Sequence, residues 1–159
     1  MRGIPIALAL VCAACASSSS TTPGAAELEL GTGTWQFERV TDGETLPLVH
    51  GAQGGWHFWV AVRVTGASAE AGSLAVELQP ADESVPATTE TIGVHLDPPD
   101  ADGGRSYLGW RAIMVDPACA VGTTFRVRAT ITLPDGTRAS DERYVVPGPG
   151  DYPPPACVH

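Results

Sequence analysis

The chain has 159 residues, a formal net charge of −9, nine arginines and no lysine. A balance this acidic excludes nucleic acid as an expected partner, because binding a polyanion requires a clustered basic face. Glycine (18) and proline (14) are abundant and only 6% of the residues are aromatic, which is typical of many short strands and turns. Once an N-terminal segment is set aside, the remaining length of about 130 residues fits one domain.

The first fourteen residues have the layout of a secretory signal. Arg2 precedes an apolar run over residues 4–11, and small residues follow it. The run is too short to cross a membrane as a helix, which takes about 20 residues. We therefore predict that residues 1–14 are a signal peptide that directs export and is removed from the folded protein.

The segment Ala13-Ala14-Cys15, followed by Ala16 and four serines, resembles the lipobox of bacterial lipoproteins. The resemblance covers only residues 1–20, and it departs from the family pattern where Cys12 stands in place of the usual leucine. It implies that the Cys15 thiol carries a diacylglycerol and that the signal is cut just before this residue. It also implies an outer-membrane location, because Ala16 is not the aspartate that retains some lipoproteins at the inner membrane.

Residues 15–26 would then comprise the lipidated cysteine and a flexible Ser/Thr tether. Acyl chains contribute about 0.8 kcal/mol per buried CH₂, so two or three of them hold a protein on a membrane essentially permanently. The alternative is ordinary signal cleavage, for which Ala14-Cys15-Ala16 supplies a small-x-small site. That alternative gives a soluble periplasmic or secreted protein.

From residue 27 onward, short alternating segments bounded by turn residues predict β-strands. The clearest is residues 125–133, where every odd position is apolar and every even position is polar. Pro134 and Gly136 then predict a tight turn, after which residues 138–146 return as the partner strand of a hairpin. Further strands are predicted at residues 35–40, 45–49, 56–65, 74–79, 88–96 and 107–115, with an edge strand at 27–30.

Together these segments predict one all-β domain over residues 27–146. About seven to nine strands with no helical window between them indicate an immunoglobulin-like antiparallel β-sandwich, with a jelly roll or small barrel as the alternative. Alternation predicts which residues face the core: Phe58, Val60, Val62, Val64, Leu74, Val76, Leu78, Ile92, Val94, Leu96 and the odd positions of 125–133.

Residues 107–115 are apolar on both faces. Alternation places Leu108 and Trp110 on one face and Tyr107 and Ile113 on the other, around Arg111. Since a strand buried on both faces reads as a continuous apolar run, we predict a central strand whose second face is covered.

Two further cysteines, Cys119 and Cys157, would lie in an oxidising compartment after export, so a disulfide between them is expected. It would pin the proline-rich tail, residues 147–159, against the loop that follows residue 115. A reactive or metal-binding thiol is the alternative.

The glycine-rich segment from His50 to Trp59 is the most unusual in the chain. One hypothesis is a metal site formed by His50 and His57, with His95 as a third ligand, because imidazole is a common ligand for zinc or copper. A second is a ligand-binding face that carries His50, His57, Trp59 and Arg63, where Trp59 stacks on a sugar or anchors a protein. The alternative to both is that the glycines permit a tight bend and the aromatic residues belong to the core.

No recognised catalytic motif occurs in the chain, and we predict a protein that is not an enzyme and needs no cofactor. The expected function is a lipid-anchored envelope protein that acts as a non-catalytic binding or structural module and contacts another envelope protein. The alternatives are a small-ligand module for a sugar or a metal, which uses residues 50–59, and a soluble secreted protein. The expected partners are the membrane, through the lipid anchor, and an envelope protein.

Overall fold

The computed structural model describes residues 25–158. The predicted signal peptide, Cys15 and most of the predicted tether lie outside the described residues. Within residues 25–158 the chain forms ten strands and one short helix. Their bounds are β1 Glu27–Thr32, β2 Glu38–Arg39, β3 Glu44–Pro47, β4 Val49–His50, β5 Trp56–Thr65, β6 Ala71–Pro80, β7 Thr88–His95, β8 Arg105–Met114, α1 Pro117–Ala120, β9 Phe125–Thr132 and β10 Arg138–Gly148.

The strands form two packed sheets, so the predicted all-β sandwich is confirmed. In the first sheet β5 lies in the middle, with β8 along one side and β1 and β4 sharing the other side. β2 pairs with the outer edge of β1. The second sheet has the order β3-β10-β9-β6-β7. Every described pair is antiparallel except β3 with β10, which is parallel.

The core lies between the two sheets and follows the predicted alternation. Phe58, Val60, Val62 and Val64 point inward from β5 and are fully buried. The facing residues of β6 and β9 are buried as well: Leu74, Val76, Leu78, Phe125, Val127, Ala129 and Ile131. Of the positions predicted to face inward, Ile92 is only partly buried, because it lies on β7 at the edge of the second sheet.

The predicted hairpin at residues 125–146 is confirmed. β9 and β10 pair from Thr132 opposite Arg138 to Phe125 opposite Val145. The turn closes with a 2.9 Å hydrogen bond from the Leu133 amide to the Thr137 carbonyl. Gly136 takes a φ of +85°, which glycine adopts without steric cost.

Two predicted strands differ from the structure near the N terminus. Of residues 35–40 only Glu38–Arg39 is a strand, because residues 33–37, which we call the strap, form the loop of a hairpin between β1 and β2. The 3.0 Å bond from the Gly109 amide to the Gly33 carbonyl holds this strap against β8. The predicted strand at 45–49 divides into β3 and β4, since the chain changes sheet at Leu48.

The prediction that residues 107–115 form a central strand is wrong. Among the described strands β8 pairs only with β5. Its other edge carries no strand, although the Ser106 carbonyl accepts from the Asp97 amide and the Gly109 amide donates to the Gly33 carbonyl. A β-bulge also interrupts the alternation, because Val60 pairs with Trp110 but Val62 pairs with Tyr107, which leaves one extra residue on β8. Tyr107 therefore packs against the core instead of facing away from it.

The predicted disulfide is present between Cys119 of α1 and Cys157 of the tail, with a Cα–Cα distance of 4.7 Å. The bridge holds the tail across one end of the sandwich. There the Trp56 indole donates a 2.9 Å hydrogen bond to the Tyr152 carbonyl. None of the helices in the described part of the chain is long and apolar enough to span a membrane.

Candidate functional site

The structure places His50 and His57 on opposite faces of the first sheet. His50 lies directly across from Trp56, and His57 lies across from Val49, so side chains one residue apart point in opposite directions. His50 packs on Trp56 with ring centroids 4.7 Å apart, at the end of the sandwich that the tail covers. The two histidines therefore do not meet at one site.

His95 lies farther away, at the end of β7 in the second sheet, opposite Ala71. The three histidines proposed as metal ligands are thus divided between two faces of one sheet and the edge of the other. Across residues 25–158, no three His, Cys, Asp or Glu side chains are grouped so that they could hold a metal ion. The metal hypothesis has no support from this geometry.

His57 is the only polar or charged side chain among the buried residues described, with 6% of its surface exposed. Its imidazole meets the edge of Trp59 at 4.5 Å between centroids, and its Nε2 has no hydrogen-bond partner. Burial, and secondarily the positive charge of Arg111, lowers the pKa of His57 below the usual value. The ring is therefore neutral near pH 7 and serves as part of the packing.

Arg63 faces outward with Trp59, as predicted, but an ion pair occupies its guanidinium. Nε and Nη2 donate to the two carboxylate oxygens of Asp100 at 2.8 and 3.0 Å. Asp100 also accepts hydrogen bonds from the amides of Asp102 and Gly104, and these contacts, the Arg63 bond first, lower its carboxyl pKa. Arg63 thus fastens the loop of residues 97–104 to the sheet.

Trp59 is half-buried on the outer face and lines an open cleft of about 430 Å³. Trp35, in the strap formed by residues 33–37, also lines this cleft and has 94% of its surface exposed. The sequence indicated Trp59 but not Trp35, which was predicted to begin a strand. The available signal was the pair of glycines before Trp35, of which Gly33 takes a φ of +113° that favours a turn.

Strand β8 carries a second exposed group beside its open edge. Ile113 lies across from His57 and has 62% of its surface exposed, and Val115 just beyond the strand has 87% exposed. Arg111, across from Trp59, is exposed on the same face. We call Arg111, Ile113 and Val115 the β8 surface.

No protein-family model matches this chain, and no curated protein matches it.

Proposed function

We propose that this protein is a lipid-anchored envelope module, without catalytic activity, that binds another protein through the β8 surface. The observation that carries the proposal is that no described strand pairs with the outer edge of β8 over residues 110–114, beside which two aliphatic side chains are exposed. An open edge offers unpaired backbone groups to a strand from another chain, and the side chains next to it supply apolar contact.

The second sheet has an open edge of a different character. The side chains of β7 at residues 88–91 are Thr, Thr, Glu and Thr, and all four are exposed. Polar and charged side chains on an edge strand discourage pairing with other chains. The contrast between β7 and β8 favours β8 as the edge that a partner contacts.

The direction of the strands supports the same assignment. Glu27, where the predicted tether joins the domain, lies across from Thr65 at the end of β5. Met114 lies across from Trp56 at the beginning of β5. Ten residues at about 3.3 Å each separate these ends by about 30 Å. A domain anchored through Cys15 would therefore present the β8 surface away from its membrane.

Site-specific photocrosslinking in cells tests the protein contact. We expect a photoreactive residue at position 115 to capture one recurrent protein, and the same residue at position 91 on β7 to capture none. I113D should abolish the capture from position 115, because it places a charge in the apolar contact, whereas T91D should leave it unchanged. Equal capture from both edges, or capture that survives I113D, would contradict the β8 assignment.

Mass spectrometry of the N-terminal peptide tests the anchor separately. We expect Cys15 at the new N terminus with a diacylglycerol on its thiol. An unmodified N terminus beyond Cys15 would show ordinary signal cleavage and would remove the membrane from the proposal. It would leave the protein contact at β8 standing.

A further inference from the structure

We infer that the cleft between Trp35 and Trp59 is a binding site for a neutral saccharide. The site is distinct from the β8 surface and does not depend on the protein contact proposed there. Three features carry the inference: an exposed tryptophan on a turn that is hydrogen-bonded to the sheet, a lining rich in hydroxyl, amide and carboxylate groups, and a lining without positive charge.

Trp35 is exposed on a turn that is fixed at several points. The Gly33 carbonyl accepts from the Gly109 amide at 3.0 Å, and the Thr32 hydroxyl donates to the Trp59 carbonyl at 2.8 Å. A side chain on Gly33 would collide with the Gln36 carbonyl, so the backbone of the turn is closely packed as well as hydrogen-bonded to the sheet. A turn whose backbone is held before binding loses little of its own conformational freedom when a ligand stacks on Trp35.

The cleft combines apolar faces with hydrogen-bonding groups. A pyranose ring has C–H groups on its faces and hydroxyls around its rim, so it needs a flat apolar surface and polar groups at the sides. Trp35 and Trp59 supply the surfaces. The remaining lining supplies donors and acceptors from Thr32, Thr34, Gln36, Glu38, Glu44 and Thr45. A volume of about 430 Å³ lies within the usual range for small-ligand sites.

In each of the two carboxylates that line the cleft, one oxygen already accepts a hydrogen bond within the protein. Glu38 Oε1 accepts from the side-chain Nε2 of Gln36 at 3.2 Å, and Glu44 Oε2 accepts from the Thr41 backbone amide at 2.9 Å. These bonds orient both side chains and leave Glu38 Oε2 and Glu44 Oε1 as acceptors for ligand hydroxyls. None of the residues that line the cleft is Arg or His, so no positive side chain there would neutralise the charge of an anionic ligand. The ligand is therefore a neutral sugar and not an acidic one.

Titration of the purified chain with neutral hexasaccharides tests the inference, using β-1,4-linked glucose, β-1,4-linked N-acetylglucosamine and α-1,4-linked glucose as probes. Tryptophan fluorescence and calorimetry would measure binding up to about 10 mM, well above a Kd of ~1 mM. We expect at least one of the three to bind. W35A should weaken that binding at least about 10-fold, since a central aromatic contact is removed. V115A removes another exposed apolar side chain and should leave the Kd unchanged.

Because Trp35 is exposed, W35A is expected to fold, and an unchanged thermal midpoint would verify this. W59F keeps an aromatic ring and the packing beneath it, and it should weaken binding less than W35A does. Failure of all three sugars to bind, or equal binding by wild type and W35A, would overturn the inference.

A cation held between the tryptophans and the carboxylates is the competing outcome. Tetramethylammonium is its probe, and the double variant E38Q/E44Q separates the two cases. Sugar binding should persist in this variant with no more than about a 10-fold loss, because amides also accept hydrogen bonds. Binding of tetramethylammonium in preference to all three sugars, with loss of that binding in E38Q/E44Q, would overturn the saccharide assignment.

Discussion

At the scale of single residues, His57 is the side chain whose chemistry is most constrained. Its imidazole is buried on the outer face of the first sheet, against Trp59 and near Arg111, and its Nε2 has no partner. A charged imidazole would lose hydration there and face a like charge, so the folded chain favours the neutral ring. The residue is therefore a source of acid sensitivity in the domain.

We expect the stability of the domain to fall as the pH drops from about 7.5 to 5.5. The pKa of His57 is lowered from 6.5 by folding, so the unfolded chain binds more protons in this range and acid favours it. Urea unfolding at several pH values would measure the slope. H57L should remove at least about half of the slope, because it deletes the titrating group.

H95Q is the matched control, because His95 is exposed at the edge of the second sheet. Its unfolding free energy should follow pH as that of the wild type does. If H57L and the wild type respond to pH identically, His57 is not the source of the acid sensitivity.

At the scale of the elements, the bulge in β8 determines which side chains reach each face. Gly109 has a φ of +73° at this point, and its amide binds the strap of residues 33–37. The bulge turns Tyr107 toward the core and leaves Leu108 against the strap, where it lines a groove beside Trp35. One extra residue thus couples the edge strand to the turn that presents Trp35.

We expect G109A to destabilise the domain by about 1–2 kcal/mol, because a β-carbon is disfavoured at positive φ. The added carbon would meet only Thr34, at 3.9 Å, so the cost comes from the backbone conformation. Chemical unfolding at constant pH would measure the free energy change.

Gly93 in β7 provides a control for which the expected change in unfolding free energy is zero or of opposite sign. It does not have a positive φ, and an added β-carbon there would contact nothing. G93A should therefore be neutral or stabilise the strand by about 0.5–1 kcal/mol. Equal effects of G93A and G109A would show that the bulge conformation is not the cause.

The sequence predicted features that depend on neighbours along the chain, such as the alternation of residues 125–133 and the turn at Gly136. It also predicted that His57, Trp59 and Arg63 share a face. The bulge in β8 escaped prediction because it depends on pairing with β5, about fifty residues earlier in the sequence. Trp35 was missed for a related reason. Its exposure depends on where the strap lies against the first sheet, and the pattern of neighbouring residues does not contain that information.

At the scale of the whole molecule, the disulfide closes one end of the sandwich. It joins residues 38 apart, and it keeps the tail in place over Trp56 and His50. The tail has too many prolines to pair as a strand, because proline lacks the amide donor. The covalent link therefore supplies a constraint that backbone hydrogen bonding does not.

We expect the double variant C119S/C157S to lose about 4 kcal/mol of unfolding free energy on the chain-entropy model for a loop of this length. Denaturant unfolding would measure the loss, and reduction of the wild type should reproduce it. Release of the tail should also expose Trp56 and shift its fluorescence to longer wavelength. A loss near zero would indicate that the tail is held by its other contacts.

The predicted tether would join the domain at one end of β5, and the β8 surface lies at the other end. This arrangement determines how the domain would bear tension. A pull on the chain before Glu27, opposed by a partner held at the far end, acts along the axis of β1 and β5. Their hydrogen bonds run across that axis, from Glu27 opposite Thr65 to Gly31 opposite Ala61. All of these bonds would be loaded in shear together instead of opening one at a time. The pairing of β1 with β5 is therefore expected to resist such a pull, because no one of these bonds can open before the others.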